Sequence, residues 1–319
     1  MRPMAPKVFI DGAAGTTGLE IRERLAGRTD IDLVALPQAQ RKDAAARRAA
    51  LNGADIVILC LPDAAAREAV SLIENASVRV IDASTAHRVA PDWAYGFAEL
   101  EPDGYERIAG AARVSNPGCY PTGFLAIVRP LLRAGLIADD YPYTVNAVSG
   151  YSGGGKAMIA EFEDRDAPGY TQAVVRAYAL SLMHKHVPEM TVHAGLKHAP
   201  VFSPSVGRFY RGMLVEVPLQ LWAMPGRPAL PDIHAVLSEA YRGRALVEVA
   251  GLAECAELKT LDAEALANSN RLKLYVFGNE KQGQARIVAV LDNLGKGASG
   301  AAVQNLNIML GLPETTGLA

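Results

Sequence analysis

The chain has 319 residues, which is enough for one large domain or two medium ones. Half of the residues are hydrophobic and 21% are charged, and 32 basic residues against 34 acidic ones give a net charge of −2. This balance excludes the basic surface of a nucleic-acid-binding or membrane-surface protein. No apolar run approaches the roughly 20 residues of a membrane-spanning helix, and residues 1–7 lack a signal-peptide core. We therefore expect a cytoplasmic protein.

The first 115 residues alternate strands with helices. Apolar strands are predicted at 7–11, 31–36, 54–61 and 78–82, with helical patterns between them that end at 25, 51 and 73. The run at 54–61 is apolar without alternation, which is typical of a strand buried on both faces of a parallel sheet. This order predicts an α/β fold with a doubly wound sheet.

The pattern changes after residue 117. A helix is predicted over 119–134, with Pro121 in its first turn, Gly135 as its C-terminal cap and Pro130 kinking or opening it. Alternating β-rich runs follow, separated by Gly, Pro and Asn turns, at 143–148, 212–218, 246–249, 272–277 and 285–291. They predict a mixed or antiparallel sheet in a second domain, and a last helix is predicted over 298–310.

A glycine loop joins the first strand to its helix. Gly12, Gly15 and Gly18 form G-x-x-G-x-x-G, and Thr16 and Thr17 add hydroxyl donors. Glycines here let backbone N–H groups approach a pyrophosphate at a helix N-terminus. Because the spacing departs from G-x-G-x-x-G, a tight turn without a ligand is the alternative. The position inside a βαβ unit favours a dinucleotide.

The end of the second strand bears on the choice between NAD and NADP. An acidic residue there would bind the ribose 2′-hydroxyl of NAD. This strand ends Leu36-Pro37-Gln38 without an acid, and Arg41 and Lys42 follow. The two cations favour the 2′-phosphate of NADP, and a solvated cationic helix start is the alternative.

Three cysteines are too few and too scattered for a disulfide framework or a closed zinc site, and we expect no metal. Cys60 lies in a buried apolar run and is interpreted as a core residue, while Cys255 lies in a charged segment. Cys119 follows Pro117-Gly118 at a predicted helix N-terminus, where unpaired N–H groups and the dipole favour a thiolate. Cys119 is therefore the candidate nucleophile.

A nucleophilic thiol needs a proton carrier, and histidine is the usual one. His184 and His186 stand two residues apart, and in an extended segment both would face one pocket. Zinc binding is the alternative for this pair, but no further ligand clusters with it. Two glycine-rich stretches, at 149–156 and 292–300, are interpreted as ligand-wrapping loops or, alternatively, as mobile turns.

Six motifs in order then point to a family: GAAGTTG at 12–18, DASTAHR at 82–88, SNPGCYPT at 115–122, SGYSGGGK at 149–156, HKHVPE at 184–189 and DNLGKGASGAAVQNLN at 292–307. Together they resemble the N-acetyl-gamma-glutamyl-phosphate reductases, which are related to aspartate-semialdehyde dehydrogenase. The likeness is to the shorter form, since GAAGTTG and HKH differ from the longer form.

The resemblance implies a fold and an activity. The fold would be a Rossmann-type NADP-binding domain at 1–117 with 297–319, plus an α+β catalytic and dimerisation domain at 118–296. The activity would be NADPH-dependent reduction of N-acetyl-L-glutamyl 5-phosphate through a Cys119 thioester, in arginine biosynthesis. A homodimer or homotetramer is also implied, with no nucleic-acid or membrane partner.

The resemblance also implies residue roles. His184 would be the acid/base residue beside Cys119. The other implied substrate contacts are Arg88, Asn116, Ser149, Gly150, Lys156, His186 and Glu189. The implied cofactor contacts are Gly12, Gly15, Thr16, Thr17, Gly18, Arg41, Lys42, Ser84, Asn293, Gly295 and Lys296.

Two competing functions remain open on the sequence. One is an aspartate-semialdehyde or amino-adipyl phosphate reductase of the same class. The other is a non-catalytic NADP-binding regulator with the same fold, against which Cys119 and His184 argue.

Overall fold

The computed structural model describes residues 5–41 and 43–318, and these fold into two compact units. The first unit takes the chain up to residue 98, then 103–117 and the part from 298 on. The second takes 99–102 and 118–297. Among the described residues, no helix has both the length and the apolar character needed to cross a membrane.

Strands and helices alternate in the first unit, as predicted. They are β1 (Lys7–Asp11), α1 (Thr16–Leu25), β2 (Asp32–Val34), α2 (Ala44–Gly53), β3 (Ile56–Leu59), α3 (Asp63–Ser71), β4 (Arg79–Asp82), β5 (Ala94–Tyr95), α4 (Gly104–Gly110) and β6 (Arg113–Ser115). The unit closes with α10 (Gly300–Met309). The strand predicted at 31–36 is shorter than expected because Pro37 leads into a 3-10 turn at Gln38–Gln40.

All strand pairs of this sheet are parallel, in the order β2-β1-β3-β4-β6-β5. The chain reverses its direction of travel across the sheet between β1 and β3, which is where doubly wound sheets bind ligands. β3 is buried along its whole length, as a strand covered on both faces must be. One core cluster consists of Phe9, Leu51, Ala54, Val57, Leu59, Ala66, Ala69, Val78, Val80 and Trp93.

The helix α10 is buried on every side rather than on one apolar face. Its amides are therefore hydrogen-bonded: Asn305 donates to the Gly96 carbonyl at 2.9 Å and to Asn116 Oδ1 at 3.1 Å. Asn307 Oδ1 accepts from Arg28 at 2.7 Å. These hydrogen bonds hold the helix in position within the first unit.

The second unit contains the mixed sheet that the sequence predicted. Its elements are α5 (Cys119–Arg133), β7 (Thr144–Gly150), α6 (Gly155–Glu163), β8 (Val175–Ala177), α7 (Val187–Ala194), β9 (Val201–Gly207), β10 (Met213–Gln220), α8 (Leu230–Ala240), β11 (Val247–Val249), α9 (Leu252–Glu257), β12 (Leu272–Asn279) and β13 (Gln284–Leu291). The strand order is β11-β12-β13-β10-β7-β9-β8, with β7/β9 and β11/β12 parallel and the other pairs antiparallel.

The helix α5 remains continuous through Pro130. A proline removes the N–H that would bond the carbonyl four residues earlier. That carbonyl belongs to Ala126, and it accepts the Tyr241 hydroxyl of α8's C-terminal end at 2.8 Å. A side chain from another helix thus replaces the lost hydrogen bond. Gly135, at φ +70°, follows the helix as predicted for a cap.

Candidate active site

At two of its three glycines, the glycine loop of the first unit has room for backbone only. Gly12 has φ +88°, and a Cβ there would lie 2.2 Å from the Cys60 carbonyl oxygen. A Cβ on Gly18 would lie 2.4 Å from the Gly12 oxygen. Gly15 caps α1, so Thr16 and Thr17 form the first turn of a helix whose N-terminus faces this loop. Such a cradle fits the pyrophosphate of a dinucleotide.

A cavity of about 360 Å³ adjoins the loop. It is lined by Gly12, Ala13 and Ala14, by residues 33–36 at the end of β2, and by the cations Arg22, Arg41 and Arg47. The predicted Arg41 therefore lines a pocket, whereas Lys42 lies outside the described residues. Sequence reasoning missed Arg47, whose guanidinium pairs with Asp11 at 2.9 Å, because nothing in an Ala/Arg-rich helix marks one arginine.

Cys119 is the first residue of α5. The preceding Gly118 is held at both ends: its N–H donates to Glu189 Oε1 at 2.8 Å, and its carbonyl accepts the N–H and the hydroxyl of Thr122, each at 2.9 Å. A Cβ on Gly297 would lie 2.7 Å from the Cys119 Cβ. The nucleophile candidate is thus confined on two sides, at a helix N-terminus that favours a thiolate.

The other two cysteines differ from Cys119. Burial raises the pKa of the Cys60 thiol to about 12, and the charges of Asp82 and Asp11 add to the shift. Burial also raises the pKa of Cys255, which is a buried residue of α9. Both thiols stay protonated at neutral pH, and a protonated thiol is a poor nucleophile.

The histidine pair does not lie in an extended segment, so strand alternation is not what brings the two side chains together. His184 is in a turn, and His186 adopts helical backbone angles as the N-cap of α7. Their rings are nevertheless adjacent, with centroids 4.7 Å apart. The His186 N–H donates to His184 Nδ1 at 3.1 Å. Since Nδ1 accepts, the neutral His184 ring carries its proton on Nε2.

An aromatic cluster surrounds His184. The rings of Tyr120, Tyr178 and Phe202 have centroids 6.0, 5.7 and 5.2 Å from it. The Tyr178 hydroxyl donates to the Tyr120 hydroxyl at 3.0 Å. Burial raises the pKa of Tyr120 well above its usual range, and Tyr178 and the Cys119 charge raise it further. These hydroxyls are therefore neutral next to the nucleophile. Sequence reasoning missed both tyrosines as site residues.

The first unit holds the remaining polar candidates after β4. Arg88 is buried, and its guanidinium donates to the carbonyls of Asn116 at 3.0 Å and Ala83 at 3.3 Å. Ser84 donates its hydroxyl to Asp82 at 2.7 Å, and His87 Nδ1 lies 2.6 Å from the same carboxylate. Sequence reasoning did not single out His87. The one sequence feature that marks His87 is its position five residues after Asp82, the acidic residue that ends β4.

Three cofactor candidates near the end of the second unit make interior contacts. Asn293 accepts from the Gly212 N–H at 2.8 Å and donates to Ser152 at 2.9 Å. Lys296 is 2% exposed and donates to both oxygens of Glu99, at 2.7 and 2.8 Å. A Cβ on Gly295 would lie 2.0 Å from the Ser269 oxygen. These interior contacts give each of the three residues a structural role.

Of the remaining substrate candidates, Ser149 and Gly150 are buried at the end of β7, while Lys156 is exposed in the first turn of α6. A hydrogen bond joins Ser149 to Tyr120. Within residues 5–41 and 43–318, no three His, Cys, Asp or Glu side chains form a group able to hold a metal ion.

Two family models match the chain. The semialdehyde dehydrogenase NAD-binding domain matches residues 7–108, and the semialdehyde dehydrogenase dimerisation domain matches residues 119–293. The fold is also that of solved aspartate semialdehyde dehydrogenases. The Vibrio cholerae enzyme II complexed with ASA has a TM-score of 0.71 at 15% identity, covering 97% of this chain and 99% of that one. These matches define the class: an oxidoreductase with a nicotinamide-dinucleotide-binding domain.

Curated relatives narrow the class. The N-acetyl-gamma-glutamyl-phosphate reductases of Brucella ovis, Brucella canis and Brucella suis are each 59% identical over 309 residues, covering 97% of this chain and 100% of the relative. The chain belongs to the N-acetyl-gamma-glutamyl-phosphate reductase family.

Proposed function

We propose that this chain reduces N-acetyl-L-glutamyl 5-phosphate to N-acetyl-L-glutamate 5-semialdehyde with NADPH, as a cytoplasmic enzyme of arginine biosynthesis. The observation that carries the proposal is Cys119 at the start of α5, confined by Gly118 and Gly297. Likeness at 59% identity to reductases named for this substrate supports it.

The first half of the reaction forms a thioester. The Cys119 thiolate attacks the γ-carbonyl carbon, the carbonyl electrons move to oxygen, and the tetrahedral oxyanion faces the N-terminus of α5. When the oxyanion collapses, the bond to the phosphate oxygen breaks and inorganic phosphate leaves with that electron pair. The product is an acyl thioester on Sγ, which is a better hydride acceptor than a carboxylate.

The second half returns the thiol. NADPH, when bound, supplies the hydride that reduces the thioester carbon. His184 shares its Nε2 proton with the tetrahedral oxygen through a hydrogen bond and retains it as the C–S bond breaks, so no imidazolate forms and the aldehyde and the Cys119 thiolate are released together. The His186 N–H, which bonds His184 Nδ1, keeps that proton on Nε2.

The cofactor would be held by Gly12, Gly15, Thr16, Thr17 and Gly18 through backbone N–H and hydroxyl donors. We assign the 2′-phosphate to Arg41, which lines the cavity beside β2, with Lys42 and Ser84 as further contacts. Asn293, Gly295 and Lys296 would act by fixing the backbone of their segment, since their contacts lie in the interior.

The substrate would be bound by charge and by hydrogen bonds. A guanidinium suits a leaving phosphate, and we assign Arg88 to it. Asn116, Ser149, Gly150, Lys156 and His186 are the other proposed contacts. Domains of 1–117 with 297–319 and of 118–296 would carry cofactor binding and catalysis, respectively.

We also propose a homodimer formed by the second unit. Side chains of β10 alternate: Val215 and Val217 are buried, while Leu214 and Glu216 on the other face are half-exposed. Tyr275 and Phe277 of β12 stack on this second face, with centroids 5.9 Å apart. A second copy would cover this apolar face, in keeping with the dimerisation domain that matches the unit.

The charged groups on that face are already neutralised. Glu216 accepts from Asn146 at 3.2 Å and from Arg286 Nε at 2.6 Å. A subunit contact there would not bury an unpaired charge. Sedimentation of Tyr275→Glu should show monomer where the native chain shows dimer, with Val89→Glu, at an exposed valine of the first unit, as control. An unchanged dimer would place the contact elsewhere.

The decisive test of the function is phosphate-dependent reduction of NADP by N-acetylglutamate semialdehyde. Aspartate semialdehyde and the amino-adipyl analogue serve as paired substrates. A kcat/KM at least about tenfold higher for N-acetylglutamate semialdehyde, equivalent to 1.4 kcal/mol, is expected. Preference for another aldehyde would reassign the substrate. No turnover with any of the three aldehydes would favour the non-catalytic NADP-binding regulator instead.

A further inference from the structure

We propose that Glu189 is a positioning residue for the Cys119 thiol rather than a substrate contact; the proposal rests on the catalytic role given to Cys119 above. Glu189 lies in the first turn of α7 and is 1% exposed. Its Oε1 accepts the N–H of Gly118, the residue directly before the nucleophile, at 2.8 Å. A carboxylate that accepts a backbone N–H forms one of the stronger hydrogen bonds in proteins.

This bond completes the fixation of the peptide in front of Cys119. Thr122 holds the Gly118 carbonyl, and Glu189 holds the Gly118 N–H. Gly118 has no side chain that packing could grip, so its two backbone groups are the only means of orienting it. With Gly297 against the Cys119 Cβ, three contacts restrict the backbone that carries the thiol.

The proton-carrier pair directly precedes the same short helix. α7 begins directly after His186, whose N–H holds His184 Nδ1. Glu189 therefore ties the peptide before the nucleophile to the element that places the histidines. A displacement of α7 would move both catalytic groups together instead of changing the distance between them.

Other ionisable side chains also lie near the thiol. Tyr120 and Tyr178 are neutral, because burial raises the pKa of each. His184 and His186 contact Tyr120 through their rings. Glu189 is the carboxylate that accepts the Gly118 N–H, so its replacement removes that hydrogen bond.

The experiment measures alkylation of Cys119 by iodoacetamide in the full chain, from pH 6 to 9, alongside kcat and KM. Glu189→Gln keeps an acceptor oxygen and should alkylate within about threefold of the native rate. Glu189→Ala removes the acceptor and should slow both alkylation and kcat by at least about tenfold, with KM changed less than about threefold.

Glu189→Asp guards against a variant that fails to fold. This variant keeps the charge but withdraws the acceptor oxygen by one methylene. If Glu189 positions the thiol, alkylation of Cys119 should slow. If only the charge of Glu189 matters, the alkylation rate should be unchanged. Glu101→Ala is the matched control, because Glu101 bonds Arg133 at 3.0 Å at the far end of the same α5 helix. In Glu101→Ala, Cys119 should be alkylated at the native rate.

A raised KM with native alkylation in Glu189→Ala and Glu189→Gln would make Glu189 a substrate contact and overturn the proposal. Alkylation needs no substrate. A wrong substrate assignment would therefore appear in the aldehyde assay of the native chain and leave the alkylation result intact.

Discussion

The two units contribute to function by different physical means. In the first, the candidate ligand groups at residues 12–18 are mainly backbone N–H groups, and sterics permit only glycine at two of those positions. In the second, the candidate groups are side chains, and contacts between elements far apart in the chain hold them, as Glu189 holds the peptide before Cys119. Cofactor binding and thiol chemistry should therefore be separable by substitution.

Cys119→Ser is expected to separate catalysis from cofactor binding most strongly. A serine hydroxyl has no accessible anion at neutral pH, so reductase turnover should fall by several orders of magnitude. NADPH binding, measured by fluorescence titration, should remain native. Cys60→Ser and Cys255→Ser are the matched controls and should keep turnover, since burial raises the pKa of both thiols. Near-normal turnover in Cys119→Ser would exclude the covalent route.

His184→Asn is expected to come next. Loss of a general acid/base should lower kcat by roughly 10²–10⁴-fold while NADPH binding stays native. His186→Asn keeps the backbone N–H that bonds His184 Nδ1, so its effect should fall mainly on KM. If His186→Asn carried the large kcat loss and His184→Asn did not, the proton carrier would be His186.

Gly12→Ala tests whether cofactor binding can be impaired while the thiol chemistry is kept. Its φ of +88° and the 2.2 Å approach to the Cys60 oxygen force the loop to move, and strain of this kind is worth about 1–3 kcal/mol. The Kd for NADPH should rise by at least about tenfold. Iodoacetamide alkylation of Cys119 should be native, and a parallel loss of alkylation would show that the two properties are coupled.

Arg41→Ala should have a smaller and more selective effect. A charged hydrogen bond to phosphate is worth roughly 1.5–3 kcal/mol, and exposure of Arg41 reduces it. The ratio of NADP to NAD use, taken as kcat/KM with each cofactor, should fall about tenfold. An unchanged ratio would assign the 2′-phosphate to another cation, with Arg47 the first candidate in the same cavity.

The smallest effect on activity is expected from Tyr241→Phe. It leaves the Ala126 carbonyl opposite Pro130 without its 2.8 Å hydrogen bond, which should lower the free energy of unfolding by about 1–3 kcal/mol. Denaturant unfolding would measure this, and turnover should stay native. Tyr275→Phe, which removes a hydroxyl from the sheet face, is a control expected to unfold like the native chain.

Local patterns in the sequence predicted the first unit well. β1 has the predicted bounds, and α1 ends at the predicted Leu25 but begins at Thr16, inside the glycine motif rather than after it. In the second unit, α5 begins at the predicted Cys119. Less was predictable where no local pattern exists. β9 contains Pro204, which argues against a strand, and β8 is exposed along its length.

Residues of the candidate site were likewise predictable where their setting is local and not where it depends on distant contacts. Cys119 was predictable because a helix N-terminus is a local feature. The turn that brings His184 and His186 together was not, because it depends on packing against Tyr120 and Phe202. The bond from Gly118 to Glu189 spans 71 positions, and a contact at that separation leaves no periodic signal in the sequence.

The helix α10 has a consequence for how the chain is made. It is wholly buried in the first unit, yet it follows the second unit in the chain. During synthesis, residues 118–297 leave the ribosome as an almost continuous unit and can fold at once. The parallel sheet must wait, with an uncovered surface, until residues 300–309 emerge. Chaperone dependence and aggregation during expression should therefore arise from the first unit, although its synthesis begins before that of the second.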